Sequence, residues 1–186
     1  MILEGERNKY RKMWDQEEYR GFSPGEHIVG IAHSMFKKYG AVGSLIDFGC
    51  GTGRASDRFK HLGYEVTMVD FASNAVEVEG IDFIESCLWS LPSHLKADNG
   101  FCSDVMEHIP TEMVGRTLDC IHKATIDLML FQIALTPDSC GQLIGETLHL
   151  TLWSESQWRK ELNTRWTELH SETNGYNLLY LGRSNH

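Results

Sequence analysis

The stretch LIDFGCGTGR, residues 45–54, is the feature that most constrains the fold of this chain. A short apolar run ends at Phe48, and glycines follow at alternate positions, Gly49, Gly51 and Gly53. Such a strand–loop–helix turn is typical of an open parallel α/β sheet, in which ligands bind at the carboxyl ends of the strands. Three ligand classes suit so bare a loop: a pyrophosphate, a nucleoside triphosphate, or a nucleoside without phosphate.

The spacing and the nearby acids separate these classes. A dinucleotide motif would need its third glycine at Arg54, and the lysine and hydroxyl of a P-loop are missing. Asp47 suits an ammonium group better than a pyrophosphate, and Asp70 follows about twenty residues after the glycines, where a carboxylate accepts ribose hydroxyls. The pattern therefore favours a phosphate-free nucleoside that carries an amino acid.

The rest of the chain alternates strands and helices. The first strong helix spans 22–40, with Ser23 and Glu26 as a predicted capping box and an apolar face formed by Ile28, Ile31, Ala32, Met35, Phe36 and Tyr39. Strands are predicted at 44–48, 64–70, 81–86, 99–105 and 126–135, helices at 54–63, 73–80, 111–124 and 154–163, and a closing hairpin at 165–182.

This order predicts an α/β fold: a doubly wound, mostly parallel seven-stranded sheet with helices on both faces and an antiparallel C-terminal edge hairpin. A length of 186 residues predicts one domain, 1–186.

Composition excludes several function classes. Seventeen basic and 26 acidic residues give a net charge of −9, which provides no footprint for a nucleic-acid backbone. The five cysteines form no C-x-x-C pair, so a thiolate zinc site is not expected, and scattered thiols indicate a reducing cytoplasmic location. The most apolar run, residues 128–135, is too short to span a bilayer, and the stretch MILEGERNKYRK has no apolar h-region, so no signal peptide is expected.

Five segments resemble the motifs of the class I S-adenosylmethionine-dependent methyltransferases, and the resemblance extends over about residues 10–182. They are IDFGCGTG, VTMVD, FIESCLWSLP, ADNGFCSDVMEHIP and HLTLWSESQWRKEL. The set is most similar to the branch that contains small-molecule O- and C-methyltransferases.

The resemblance implies S-adenosylmethionine as cofactor. It places the methionine part on the loop around Gly49–Gly53, the ribose on Asp70, and the adenine on the main chain at Cys87 and Leu88. Cys87 stands where the family usually has an acid for the adenine amino group. Residues 1–22 match a lid over the cofactor, with Tyr10 and Trp14 among its aromatic residues. The predicted cofactor-binding residues are Tyr19, Arg20, Asp47, Gly49, Cys50, Gly51, Gly53, Asp70, Phe71, Cys87, Leu88 and Asp104.

The predicted catalytic residues are Glu107, His108 and His149. Asp104, Glu107 and His108 resemble an acid-x-x-Glu-His set that holds a divalent metal in ubiquinone-type O-methyltransferases. In many other members, which have no metal, the Glu-His pair caps the next helix or orders the loop. A contact with cofactor or substrate and a structural role are both favoured over a metal here, so no metal site is predicted. His149 is a candidate base, a substrate contact, or a structural tie.

The sequence therefore predicts a methyltransferase acting on a small-molecule acceptor by O-, N- or C-methylation. Methyl transfer depends mainly on alignment, so no fixed triad is expected. The chain has neither Pro-Pro nor Pro-Cys, which disfavours DNA bases as acceptors. The alternative is a catalytically weak cofactor-binding module that serves as a regulatory subunit. An oligomeric partner is compatible with the sequence, but no feature indicates one.

Overall fold

The structure is a computed structural model that describes residues 2–21, 23–40 and 42–186. Its centre is a seven-stranded sheet in the order β3-β2-β1-β4-β5-β7-β6. The strands are β1 (Ser44–Phe48), β2 (Glu65–Asp70), β3 (Asp82–Glu85), β4 (Ala97–Ser103), β5 (Thr125–Ala134), β6 (Trp166–Thr173) and β7 (Asn177–Ser184). The first five are parallel, and β7 pairs antiparallel with both β5 and β6. The predicted fold class, including the edge hairpin, is confirmed.

Six α-helices accompany the sheet in the described part of the chain. They are α1 (Ile2–Trp14), α2 (Glu17–Arg20), α3 (Pro24–Tyr39), α4 (Arg54–His61), α5 (Val114–Ala124) and α6 (Glu155–Leu162). Phe36 of α3 and Phe59 of α4 belong to one buried cluster, and Leu118 of α5 and Trp158 of α6 belong to the other. The two clusters place these helices on opposite faces of the sheet, as predicted. None of the described helices is long and apolar enough to cross a membrane.

The prediction for α3 holds for its bounds but not for its details. The side chain of Ser23 makes no capping hydrogen bond, so the capping box with Glu26 was wrong. Ser23 instead uses its carbonyl oxygen to accept from the N–H of Glu26 at 3.1 Å. Ile31 is 46% exposed, although it was assigned to the buried face. The core stripe is centred on Val29, Ala32 and Phe36, and a step of one residue turns a side chain about 100° away from such a stripe.

The predicted helix at 73–80 was also wrong. A single 3-10 turn covers Ser73–Ala75, and the chain then runs without regular structure to Gly80. The N–H of Glu77 donates to the carbonyl of Thr52 at 3.0 Å, and the Cβ of Val78 lies against Gly53. Contacts with the glycine loop therefore replace helical hydrogen bonds, and the β-branched valines favour that outcome. The capping box of Ser154 and Gln157 at α6 is confirmed.

Candidate functional site

Two adjoining cavities lie at the carboxyl ends of the parallel strands, where the strand order reverses between β1 and β4. The first has a volume of about 90 Å³ and the second about 190 Å³. Both are lined by Trp14, Tyr19, Gly49, Asp104 and His108. The shared residues make the two cavities one continuous cleft at the edge of the sheet where ligands bind in open α/β folds.

The glycine loop presents bare main chain to this cleft. Gly49 has φ +75°, and a Cβ there would stand 2.5 Å from Cγ2 of Val105. Gly51 has φ +51°, and a Cβ there would stand 2.9 Å from the ring of Trp14. A side chain at either position would require a strained backbone and a shift of its neighbour. Cys50 lines the second cavity, whereas Gly53 precedes α4 and packs on Met68 outside both cavities.

Asp70 ties the end of β2 to the glycine loop. Its Oδ2 accepts from the N–H of Gly51 at 3.0 Å, and its Oδ1 accepts from the N–H of Ala72 at 2.9 Å. Burial raises the pKa of this carboxyl, and the N–H donors act in the opposite direction. Asp70 lines the first cavity, and each carboxylate oxygen keeps a further lone pair. The arrangement is suited to a ligand with two adjacent hydroxyls.

Apolar side chains form the rest of the first cavity. They include Phe71, Leu88, Trp89 and Ile109, with Cys87 beside them. Burial raises the pKa of the Cys87 thiol to about 11, so the thiol is neutral and does not replace a carboxylate. A flat base in this slot would rely on stacking and on main-chain hydrogen bonds.

Asp47 lies in the second cavity beneath the glycine loop. It is 3% exposed and accepts a hydrogen bond from the hydroxyl of Ser56 at 2.5 Å. Burial raises its pKa to about 7, the Ser56 bond lowers it, and the charge of Asp70 raises it further. A carboxylate so poorly solvated favours a cationic ligand.

Helix α1 covers the cleft. Tyr10 and Met13 are buried against Ala72 on one side and Leu148 on the other. Arg7 donates from Nε to the carbonyl of Phe71, and Lys9 donates from Nζ to the carbonyl of Thr147. The helix therefore bridges the end of β2 and the segment that follows β5.

The aromatic residues after α1 complete the cover. Trp14 and Tyr19 line both cavities, with ring centroids 4.7 Å apart. Arg20 lies outside both cavities, because its guanidinium donates to the carbonyls of Asn74 and Ala75 and pairs with Glu77. Met1 and Phe22, the first residue of the predicted lid and its last, lie outside the described residues.

Asp104 stands at the junction of the two cavities with a φ of 55°, a conformation that costs about 1 kcal/mol or more for a residue other than glycine. Its Oδ2 accepts from the hydroxyl of Ser103 at 2.7 Å and from Nε2 of Gln132 at 2.5 Å. Strain of this kind concentrates at functional sites, where surrounding bonds maintain it.

His108 lines both cavities, whereas Glu107 lines neither and is fully buried. Nδ1 of His108 lies 2.7 Å from the hydroxyl of Tyr10 and 3.2 Å from the carbonyl of Leu148. Burial lowers the pKa of His108 to about 3, so the imidazole is neutral. Oε1 of Glu107 accepts from the N–H of Ala134 at 3.2 Å, and burial raises the pKa of this carboxyl.

His149 lines the second cavity and contacts His108. Its Nδ1 donates to the carbonyl of Thr136 at 2.6 Å, which leaves Nε2 without the proton in a neutral ring. The ring centroids of His108 and His149 are 4.7 Å apart in an edge-on arrangement. The three predicted catalytic residues are therefore close together, although only the two histidines face the cleft.

Some residues at the site were not identified from the sequence. Asp138 accepts from the N–H groups of Gly141 and Leu148 and so shapes the segment that carries His149. Gln132 positions Asp104, and its only sequence signal is a polar residue within an apolar strand. Glu6 lines the first cavity and pairs with Lys9 at 2.6 Å, which nothing in the N-terminal sequence indicates.

A doubly wound sheet, a bare glycine loop and an acid at the end of β2 define a class I S-adenosylmethionine-dependent methyltransferase. A family model described as a methyltransferase domain matches residues 25–174, so the chain belongs to that family. The predicted enzyme class and cofactor are confirmed.

Solved structures agree on the fold. The chain is similar to the N-methyltransferase NodS from Bradyrhizobium japonicum, solved with S-adenosylhomocysteine, at 12% identity over 97% of this chain and 99% of that one, with a TM-score of 0.72. It is similar to magnesium protoporphyrin IX methyltransferase from Synechocystis PCC 6803, also solved with S-adenosylhomocysteine, at 18% identity over 96% and 94%, with a TM-score of 0.68. It is also similar to 1,6-didemethyltoxoflavin-N1-methyltransferase from Burkholderia thailandensis, at 16% identity over 100% and 86%, with a TM-score of 0.66. No curated protein sequence matches the chain.

Proposed function

We propose that this methyltransferase acts on a small-molecule acceptor, which binds in the second cavity beside the histidines. The observation that carries the proposal is that α1 and the segment 136–149 together cover the cleft. They meet where Tyr10 and Met13 of α1 pack against Leu148 of that segment. The magnesium protoporphyrin and didemethyltoxoflavin enzymes named above, which share this fold, act on small molecules.

The residues of the first cavity fit the nucleoside end of the cofactor. The apolar slot at Phe71 and Leu88 suits a base, and the oxygens of Asp70 suit ribose hydroxyls. The bare main chain at Gly49 and Gly51 and the carboxyl of Asp47 suit an amino-acid end in the second cavity. The methyl group to be transferred would then lie near the junction, beside Asp104 and His108.

S-adenosylmethionine, when bound, supplies a methyl group on a positively charged sulfur. The chain has to align the acceptor with this carbon and to exclude water. Trp14 and Tyr19, in the cover of the cleft, exclude water. The strained Asp104 fixes the junction between the two cavities. Nε2 of His149 can accept a hydrogen bond or a proton from the acceptor. The cleft is lined by carboxyls and lacks lysine and arginine among its described lining residues, which favours a cationic cofactor.

The first prediction concerns the choice of ligand. S-adenosylhomocysteine should stabilise the chain against heat, by about 2.7 kcal/mol at a concentration of 100 Kd, whereas NAD should not. NAD shares the adenosine but brings a pyrophosphate, for which the glycine loop and Asp47 are unsuitable. Thermal unfolding with each ligand measures the difference. Equal stabilisation by NAD would contradict the assignment of the amino-acid end to Asp47 and Gly51.

Acceptor turnover tests the proposal itself. The chain is incubated with methyl-labelled S-adenosylmethionine and a mixture of metabolites, and the small molecules are separated from protein and nucleic acid. Label among the small molecules is the expected result. Label only on protein or nucleic acid would overturn the small-molecule assignment. Cofactor binding without any transfer would favour the regulatory-module alternative.

The second prediction uses the raised pKa of Asp47. A carboxyl with a pKa of about 7 in the folded chain and about 3.8 when unfolded destabilises the fold as the pH rises through that window. A ligand ammonium group that pairs with ionised Asp47 offsets this loss of stability in the complex. Affinity for S-adenosylhomocysteine should therefore rise about 10- to 30-fold between about pH 5.5 and 7.5.

Two comparisons isolate this effect from the other acids of the cleft. 5′-Methylthioadenosine has the nucleoside without the ammonium group, and its affinity should change much less over the same range. Asp47→Asn should remove the pH dependence of the affinity for S-adenosylhomocysteine and should leave the profile of 5′-methylthioadenosine unchanged. Calorimetric titration at each pH provides the affinities, and parallel profiles for the two ligands would place the ammonium elsewhere.

A further inference from the structure

We propose that Glu107, His108 and His149 bind a divalent transition-metal ion at the edge of the second cavity. Each of the three side chains offers one ligand atom, and these atoms all lie within 4.8 Å of one another. Two of the residues are adjacent in the sequence, and the third arrives from the segment between β5 and α6. The set therefore exists only in the folded chain.

This set differs from the acid-x-x-Glu-His pattern considered in the sequence, which had Asp104 as its first member. Oδ2 of Asp104 already accepts from Ser103 and Gln132. Its place is taken by His149, whose ring lies edge-on to that of His108. The sequence-based expectation of no metal site rested on the first pattern and did not include His149.

The imidazole of His149 is oriented as a metal ligand usually is. Its Nδ1 donates to the carbonyl of Thr136, and because a carbonyl oxygen only accepts, Nδ1 carries the proton and Nε2 has a free lone pair. Nδ1 of His108 lies 2.7 Å from the hydroxyl of Tyr10 and 3.2 Å from the carbonyl of Leu148, which fix the orientation of that ring in either tautomer. Metal-bound histidines characteristically donate their other ring nitrogen to a carbonyl or a carboxylate, which fixes the tautomer and the ring orientation.

Glu107 provides an independent observation. The residue is fully buried, and its Oε2 has no hydrogen-bond partner among the described residues. Its other oxygen is held by the N–H of Ala134. A buried carboxylate oxygen without a partner is unfavourable, and a cation beside it removes the deficit.

The donor set indicates which metal ions would suit the site. Two imidazoles and one carboxylate suit Zn²⁺, Fe²⁺ or Mn²⁺, whereas Mg²⁺ and Ca²⁺ prefer oxygen ligands. Ligands at about 2.0–2.2 Å from zinc stand about 3.3–3.5 Å apart, so the side chains would close by about 1 Å on binding. Three protein ligands leave an open coordination position, as in catalytic zinc sites. His108 and His149 line the cleft, so an acceptor oxygen or a water molecule can reach that position.

Metal binding is measured without cofactor and without acceptor, so the result does not depend on the proposed function. The chain is stripped with a chelator, dialysed, and titrated with Co²⁺ while the visible absorption of the bound ion is recorded. Zn²⁺ and Mg²⁺ then compete for the site. We expect one Co²⁺ per chain, displaced by one equivalent of Zn²⁺ and not by Mg²⁺ at similar concentrations.

Variants assign the site. His149→Asn and Glu107→Gln should each weaken Zn²⁺ binding by more than about 100-fold, since they remove ligands and not merely their supports. His122→Asn is the matched control, because the rings of His122 and His186 form another histidine pair, with centroids 4.2 Å apart. His33→Asn controls for the loss of a half-buried histidine that is bonded to a tyrosine.

The outcomes are distinct. Absence of stoichiometric binding by the stripped wild-type chain overturns the proposal, and so does binding that His122→Asn abolishes and His149→Asn leaves intact. Circular dichroism and S-adenosylhomocysteine binding verify that each variant folds. If Glu107→Gln does not fold, His149→Asn decides the matter, because His149 lies at the cavity surface. A chain that binds Zn²⁺ but transfers no methyl group supports the metal site and contradicts only the proposed function.

Discussion

Asp70→Asn should weaken the binding of S-adenosylhomocysteine by about 10- to 100-fold, because a charged contact to a pair of hydroxyls contributes about 1.5–3 kcal/mol. The substitution keeps the size of the side chain and one oxygen for the N–H of Ala72. It removes the negative charge, and it can set an amide group against the N–H of Gly51. Isothermal titration calorimetry of the folded variant measures the change.

The two contacts of Asp70 predict different patterns of loss. If Asp70 acts through the ribose, adenosine and S-adenosylhomocysteine should lose affinity equally. If it acts by holding Gly51 in place, the ligand with the amino-acid end should lose more. Asp82→Asn, at the exposed start of β3, is the charge-matched control and should leave both affinities unchanged. Unchanged affinity in a folded Asp70→Asn chain would mean that the ribose lies elsewhere.

The meeting of the glycine loop with Asp70 was predictable because its determinants are local. Gly49, Gly51 and Asp70 lie at the ends of adjacent strands, and parallel pairing of β1 with β2 brings them together without further information. Cys87 and Leu88, which the resemblance to the family implied, follow β3 and line the same cavity as Asp70. A motif whose residues follow two or three consecutive strands therefore specifies its own geometry.

The grouping of His108 with His149 depends on contacts between distant segments, which no local pattern records. His149 reaches His108 because Asp138 closes the loop after β5 and because the main chain of Glu107 accepts from the N–H groups of Leu150 and Thr151. The failed helix at 73–80 has a similar cause, since its residues are drawn onto the glycine loop.

The cover of the cleft shows what the sequence indicates and what it does not. The resemblance to the family implied a lid in residues 1–22, and Trp14 and Tyr19 of this segment line the cleft. Arg20 was assigned to the cofactor from the same resemblance, yet its charge is directed at the carbonyls of Asn74 and Ala75. A sequence indicates that a helix is amphipathic, but the partner of each polar side chain depends on the surface onto which the helix docks. The lid role of residues 1–22 therefore stays a proposal, supported by the docking of α1.

His149→Asn should lower kcat by about 10²- to 10⁴-fold while cofactor affinity stays within about twofold of the wild type. An asparagine amide can still donate to the carbonyl of Thr136, so the tie that Nδ1 makes at 2.6 Å is retained and only the distal nitrogen is lost. Steady-state kinetics with the acceptor found in the labelling experiment, together with calorimetry for the cofactor, separate the two quantities. His33→Asn removes an imidazole on α3 that is hydrogen-bonded to Tyr64, and it should leave kcat unchanged. A merely structural role for His149 predicts the reverse pattern, a lower melting temperature for any substitution that breaks the Thr136 bond and a normal kcat for the asparagine variant.

If Nε2 acts through the proposed metal, chelator-treated wild-type enzyme should lose activity to the same extent, and Zn²⁺ or Mn²⁺ should restore it in the wild type but not in His149→Asn. If Nε2 instead contacts the acceptor directly, the chelator should have no effect and the asparagine variant should be equally impaired with and without metal.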